Sequence, residues 1–342
     1  MLLVILFHIE PNPGDAPIIT NGWIGVDLFF VISGFLITGI LVDSEGRKHR
    51  LRNFFARRVL RIFPLYYLVL FVFFVVAPFF TTNPDILYAD GDKAYYALYL
   101  QNLLLPLIEP GTGSSIYLSH TWSLAIEEQF YLVWPWLVIL LPRRALIALL
   151  CLILVLAPIA RFQLLAERPT AWYQYWLVYK NTLLHVDGLA VGSLLALIVR
   201  SNRVSERALK RTGIALTLLC LPIAWWVLSS LAARGVINYP YTPTDPVTGS
   251  SMFSFLSIGF GGLLAVILTL RSRSLDVVLC NPILTWIGSI SYGLYVYHFP
   301  VILLLRTSEV HPLVSIAATF AVATLSWYCF EKPILRLKQR FC

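Results

Sequence analysis

The chain from His120 to Pro135 places one histidine and two carboxylates, Glu127 and Glu128, inside an otherwise apolar run. A carboxylate in a membrane span costs at least about 2.5–3.5 kcal/mol on insertion scales, so it is kept where it faces a bundle interior, a wet cavity or a partner. At 3.6 residues per turn, His120, Ser123, Glu127, Tyr131 and Trp134 share one helical stripe, and Glu128 lies about 100° around from Glu127. A polar seam of this kind points to a reaction site or a permeation path.

Further groups carry side chains able to do chemistry, each with a plainer reading beside it. Asp27 opens the run Gly25–Thr38 as a site carboxylate or an interfacial cap, and Gly34 in that run suits close helix packing. Arg57, Arg58 and Arg61 crowd a basic helix start, where Arg57 and Arg61 share a face. They read as topogenic charge beside anionic headgroups, worth about 1 kcal/mol each. The other reading is a cradle for a phosphorylated donor, because guanidinium groups take phosphate bidentately. His8, followed by Glu10, ends an apolar stretch, a place for a packed or interfacial histidine. In His185-Val-Asp187-Gly188 the acid is placed to fix the histidine tautomer or to pair with it. Ser291, Tyr295 and His298 form a second helical stripe, whose aromatic residues also suit an interfacial belt. Gly-x-Ser-x-Gly, Walker, dinucleotide-binding and His-Glu-x-x-His patterns are missing, so metal-dependent or nucleotide-hydrolysing chemistry finds no support.

The elements that must hold these residues are membrane helices. Of 342 residues, 58% are hydrophobic and 13% charged, and the mean hydropathy is +0.76; a soluble domain carries roughly 25% charged residues. The net charge of +8 sits mostly in short segments between apolar runs, which reads as topogenic charge and not as a nucleic-acid surface. Cys151, Cys220, Cys280, Cys329 and Cys342 have neither CxxC nor metal-ligand spacing, against a disulfide framework or structural zinc. Met1–His8 lacks the basic start and small-residue cleavage site of a signal peptide.

Apolar runs predict spans near 22–42, 62–80, 119–141, 145–161, 173–199, 212–232, 252–270, 283–305 and 312–330. Met1–Ile9 reads as the tail of another, and Tyr95–Leu105 as a shorter interfacial segment. The expected fold is all-α: one domain over 1–342, a polytopic bundle of about ten transmembrane helices with no appended soluble domain. Segments 43–61, 142–144, 200–211, 271–282 and 331–342 hold 20 of the 26 Lys and Arg residues. The positive-inside rule puts all five in the cytoplasm, with Glu331–Cys342 inside and loops 81–118 and 233–251 outside. Met1–Ile9 then runs outward and ends near His8. Eight residues at 1.5 Å each do not cross about 30 Å of hydrocarbon, so the first helix is expected to be truncated in the sequence as written.

Taken in order, Gly25–Thr38, Phe54–Pro64, His120–Pro135, Tyr292–Pro300 and the closing Tyr328-Cys-Phe-Glu331-Lys332-Pro333 resemble the integral-membrane acyltransferase 3 family. That family includes O-antigen, exopolysaccharide and peptidoglycan O-acetylases and antibiotic-tailoring acyltransferases. The resemblance covers almost the whole chain. It implies transfer of an acyl group, usually acetyl from acetyl-CoA as co-substrate, with no bound cofactor. The implied acceptor is a hydroxyl of a glycan, glycolipid or small molecule outside the cytoplasm, and the implied location a bacterial inner membrane. The family's first helix carries an arginine, ten intervening residues and a histidine thought to be catalytic. His8 matches that histidine, and the arginine would fall before Met1. Family members often have arginine where this chain has His185.

On this resemblance His8, Glu127 and Asp27 take catalytic roles. Arg57, Arg58, Arg61, His120, Ser123, Glu128, Tyr131, His185, Asp187, Tyr295 and His298 take substrate-binding ones. The chemistry is coherent: an alcohol loses a proton as it attacks a thioester, and a neutral histidine accepts it near pH 7. An acid such as Glu127 or Asp27 would orient the imidazole, and the arginines would hold the donor's phosphates. Base catalysis and a transient acyl-histidine both remain open. Two other readings stand beside the enzyme. A proton-coupled secondary transporter also uses buried Glu, Asp and His, though it commonly shows related halves that this sequence lacks. The third is a catalytically inactive homologue serving as a scaffold.

Overall fold

The structure, a computed structural model, describes residues 1–9, 17–81, 92–103, 116–167, 177–201, 203–233, 245–270, 272–306 and 310–341. Its helices in chain order are α1 (Leu2–His8), α2 (Pro17–Thr20), α3 (Ile24–Asp43), α4 (Arg50–Phe71), α5 (Asp92–Ala97), α6 (Trp122–Leu140) and α7 (Arg143–Glu167). They continue as α8 (Asp187–Val199), α9 (Glu206–Ala233), α10 (Pro246–Thr269), α11 (Arg273–Leu279), α12 (Pro282–Arg306), α13 (Pro312–Ser326) and α14 (Lys332–Leu335). A π segment, Val72–Val76, and a 3-10 turn, Ala77–Phe79, prolong α4; a 3-10 segment, Ile116–Thr121, leads into α6. A second π segment, Trp327–Glu331, joins α13 to α14, and a 3-10 segment, Arg336–Phe341, follows α14.

Several long helices begin at a polar residue followed by proline. The side chain of Asp245 accepts from Thr248 N at 2.9 Å, that of Asn281 from Ile283 N at 2.8 Å, and that of His311 from Leu313 N at 3.3 Å. Proline then occupies the first helical position, where its missing N–H would have had no partner in any case.

Seven of the described helices are long and apolar enough to cross a membrane: α3, α4 continued to Phe79, α7, α9, α10, α12, and α13 continued to Phe341. Leu140 is 72% exposed, Trp226 71% and Leu218 68%; large apolar side chains turned outward in this way suit hydrocarbon surroundings. The chain is an all-α polytopic membrane protein. The 19 residues of α6 carry Glu127 and Glu128, and this helix is not among the seven. Of the expected segment Tyr95–Leu105, residues 95–97 are helical, within α5, 98–103 are not, and the last two lie outside the described residues; Tyr66 Oη donates to Tyr96 O at 2.8 Å. Most of loops 81–118 and 233–251, with Glu10, Arg168 and Arg234, lies outside the described residues.

The predicted span 173–199 is instead a broken helix. Residues 171–176 are outside the described part; a π turn at 177–179 and a 3-10 turn, Thr182–Leu184, precede α8, which is only 13 residues long. Breaking a helix at membrane depth frees backbone carbonyls that water cannot satisfy there. Here His185 Nδ1 donates to Tyr179 O at 2.5 Å and Arg161 Nη1 to Leu184 O at 2.5 Å. Side chains therefore complete the backbone that the helix abandons.

The chain divides into two compact units. The first comprises Met1–Ile9, Gly46–Trp122 and Ser272–Cys342. In it α1 packs through Ile5 against Ile290, Leu294 and Ile302 of α12 and Ala323 of α13. The second comprises Glu10–Glu45 and Ser123–Arg271. Its centre is the α3–α8 contact, where glycine is obligatory: a Cβ on Gly34 would lie 2.2 Å from Leu189 O, and one on Gly192 2.0 Å from Val31 O. Gly34 is thus a packing residue, as small residues at helix crossings are.

Candidate functional site

In the first unit three histidines from distant parts of the sequence converge. The ring centroids of His8 and His298 are 5.0 Å apart, and those of His120 and His298 also 5.0 Å. Phe299 packs beside them, 4.7 Å from His8 and 5.5 Å from His120 between centroids. The ring of Tyr295 is 5.4 Å from that of His120, and its hydroxyl donates to the His120 carbonyl. α1 brings His8, the 3-10 segment Ile116–Thr121 brings His120, and α12 brings Tyr295 and His298.

Backbone contacts set the tautomers. His8 Nδ1 lies 2.7 Å from Val4 O, and His298 Nδ1 2.7 Å from Tyr295 O. A carbonyl only accepts, so each Nδ1 carries hydrogen and each neutral ring keeps its lone pair on Nε2. His298 Nε2 is buried and has no hydrogen-bond partner among the described residues. Its lone pair is therefore not engaged by any described residue. Among the described residues no group of three or more His, Cys, Asp or Glu side chains is arranged to hold a metal ion.

The predicted arginines lie further along the same unit. The Arg61 guanidinium stands 5.5 Å from the ring centroid of Trp327 and 5.9 Å from that of Tyr292, whose hydroxyl donates to Ile62 O at 2.7 Å. Arg61 feels the charge of Glu331, whose Oε1 accepts from Ser326 Oγ at 3.2 Å. Arg58 lies over Phe54 at 5.9 Å, and Arg57 Nε donates to Phe341 O at 2.8 Å. Tyr292, beside Arg61, and His298, in the imidazole cluster, are six residues apart on α12, a rise of about 9 Å.

The second unit holds the other predicted residues. Ser123 is 5% exposed, Glu127 3% and Tyr131 5%, whereas Glu128 is half-buried. Residues 120–127 are buried on every side, and from 128 to 134 the buried positions are Tyr131 and Trp134 of the predicted stripe. Below Glu127 the face is tied to α3: Tyr131 Oη donates to Ser33 Oγ at 3.3 Å and Trp134 Nε1 to Thr38 Oγ1 at 2.8 Å. Thr38 Oγ1 in turn donates to Ser193 Oγ of α8 at 2.8 Å.

At the opening of α8 the pairing differs from the one expected. Asp187 does not hold His185; Asp27 does, with Oδ1 2.8 Å from His185 Nε2. Because Tyr179 O occupies Nδ1 as an acceptor, one further hydrogen must lie between Nε2 and the carboxyl group. Asp187 instead takes both ends of the Arg161 guanidinium, at 2.8 and 2.9 Å, and accepts from Ser254 Oγ. Arg161 also donates to Ser250 O at 2.8 Å and to Ser254 Oγ at 2.8 Å. Neither Arg161 nor Asp187 has any exposed side-chain surface. The sequence signal for Arg161 as a buried partner is its place inside an apolar run.

Fold and site define a class: a polytopic helical membrane protein with clustered imidazoles among its helices and a basic segment on α4 lined by an aromatic residue of α12, the helix that carries His298. The chain belongs to the acyltransferase domain family, whose model matches residues 1–331. Over 355 residues it is 30% identical to the putative peptidoglycan O-acetyltransferase YrhL of Bacillus subtilis, covering 98% of this chain and 53% of that protein. It is 28% identical over 357 residues to the peptidoglycan O-acetyltransferase OatA of Listeria monocytogenes, covering 98% of this chain and 54% of the relative. With the O-acetyltransferase OatA of Staphylococcus aureus it shares 26% over 345 residues, 97% of this chain and 55% of the relative. The chain thus spans about half the length of the curated relatives it matches. No solved structure matches it.

Proposed function

We propose that this chain is a membrane O-acetyltransferase. It takes an acetyl group from a cytoplasmic acyl-CoA and passes it to a hydroxyl of an extracytoplasmic glycan, with peptidoglycan favoured by the names of the relatives. The observation that carries the reading is the pair His8 and His298, each with Nδ1 committed to a carbonyl of its own helix and Nε2 left as a base. His8 Nε2 takes the proton of the acceptor hydroxyl while that oxygen attacks the thioester carbonyl. The tetrahedral intermediate then collapses, the C–S bond breaks, and the imidazolium proton goes to the departing thiolate. An ester and the free thiol of coenzyme A result. Arg57, Arg58 and Arg61 hold the donor's phosphates, and the acyl arm runs from them towards His298 beside α12.

Contacts within each unit support the assignment of the basic segments to one membrane face. In the second unit Arg200 pairs with Asp43 at 2.7 Å, and Arg143 donates to Leu197 O. These link segments 43–61, 142–144 and the start of 200–211. The Arg161–Asp187 pair lies 18 residues along α7 from Arg143, about 27 Å away and near the opposite end. In the first unit Arg57 and Phe341 bring segments 43–61 and 331–342 together. By the positive-inside rule this is the cytoplasmic face of a bacterial plasma membrane.

The test is acceptor-dependent release of coenzyme A by the purified protein in detergent, with acetyl-CoA and soluble peptidoglycan fragments. Wild-type protein is expected to turn over and His8→Ala to lose at least about 10²-fold, the lower range for a general base. Near-normal turnover by His8→Ala would eliminate the proposed base. Substrate-driven flux in liposomes without acetyl transfer would favour a transporter.

A further inference from the structure

We infer that Lys338 is a phosphate-binding residue of the donor site, and that the 3-10 segment Arg336–Phe341 forms one wall of that site. The inference rests on the donor reading given above. It starts from a contact that the sequence does not announce. The segment Arg336–Phe341 packs on α4, fixed there by the hydrogen bond from Arg57 Nε to Phe341 O at 2.8 Å. Lys338 is half-buried in this contact, and the charges that act on it are those of Arg61, Arg58 and Arg57.

Four cations from two remote parts of the chain are thereby gathered at one place. Positive charges that serve topology alone need only be on the correct side of the membrane; they gain nothing from being folded against one another. Gathered in this way they form a basic surface that fits an anion of more than one charge. Glu331 answers Arg61, and among the described residues the charges acting on Lys338 are those of Arg57, Arg58 and Arg61. The planar guanidinium of Arg61 is also held against the faces of Trp327 and Tyr292, which fixes its orientation before any ligand arrives. Fixed guanidinium forks beside a mobile ammonium suit phosphate groups: the forks bind bidentately and the ammonium acts as a point charge.

The same chemistry is offered by a soluble donor's phosphate esters and by an anionic lipid headgroup. We assign the site to the donor, because Arg61 and the histidine cluster both lie beside α12, so a phosphate held here leaves its acyl arm directed along that helix.

Full-length protein in detergent without added lipid is titrated calorimetrically with coenzyme A, as wild type, Lys338→Gln and Lys338→Arg. Lys338→Gln should weaken coenzyme A binding about 10-fold, in keeping with the loss of one charge-assisted contact, and Lys338→Arg should recover most of it. In turnover the loss should appear as a raised KM with little change in kcat, as expected for a contact remote from the thioester. Equal binding by wild type and Lys338→Gln, with matching thermal unfolding, overturns the inference and leaves the acetyltransferase reading intact. Loss of phosphatidylglycerol retention by Lys338→Gln, with coenzyme A affinity unchanged, also overturns it in favour of a lipid site. If the wild type binds no coenzyme A, the donor reading itself fails and this inference falls with it.

Discussion

At His8 the helix backbone decides which nitrogen is reactive. Val4 O lies one turn back and takes the hydrogen of Nδ1, so no carboxylate is needed to fix that tautomer. Asp27, which the sequence offered as an orienting acid, is engaged with His185, and both nitrogens of His185 have partners. Glu127 and Glu128 differ in setting although adjacent: the first is buried and the second half-buried. A buried carboxylate in a membrane helix is retained for a site role. Glu127→Gln should therefore lower turnover at least about tenfold, or about 1.4 kcal/mol in activation free energy, and Glu128→Gln by less. Initial rates at saturating acetyl-CoA measure this; the reverse ranking would refute the helical-face argument.

Among the elements, the broken helix before α8 departs most from a simple reading of hydropathy. An uninterrupted helix over 173–199 would satisfy its own backbone. The break frees Tyr179 O and Leu184 O and makes the fold depend on His185 and Arg161. Arg161 is in turn neutralised by Asp187, the first residue of α8. Removing one partner of a buried pair leaves an uncompensated charge, at a cost of about 3–5 kcal/mol. Arg161→Leu should lower the unfolding temperature in detergent sharply, and adding Asp187→Leu should restore much of the loss. Equal unfolding temperatures for wild type and Arg161→Leu would show that the network does not hold this segment.

Over the whole molecule, the family model covers residues of both compact units, and each unit has a contact between basic segments, Arg200 with Asp43 in one and Arg57 with Phe341 in the other. On the proposed reading, an acyl-CoA donor that enters from the cytoplasm meets Arg57 and Arg61 first. Replacing both with Gln should raise the apparent KM for acetyl-CoA about tenfold or more while kcat changes little, since phosphate contacts supply mainly binding energy. The measurement belongs in detergent, where lipid charge and insertion no longer contribute; an unchanged KM would return these arginines to a topogenic role.

Composition and apolar run length suffice for the fold class, since spanning a bilayer demands helices that satisfy their own backbone. Helical periodicity likewise placed Tyr131 and Trp134 on the buried side of α6, because residues three and four apart share a face, whereas His120 lies before that helix in a 3-10 segment. Motif order pointed to the acyltransferase family that the match over residues 1–331 shows. The partners were another matter. That His185 takes Asp27 instead of Asp187, that Arg161 replaces a missing turn of helix, and that His8, His120 and His298 meet, are contacts between residues far apart in the chain. Periodicity gives the face of one helix and is silent on which other helix lies against it. Only the packing of α1, α12 and α3 with their neighbours, set by side-chain volume and by glycines such as Gly34 and Gly192, made that choice.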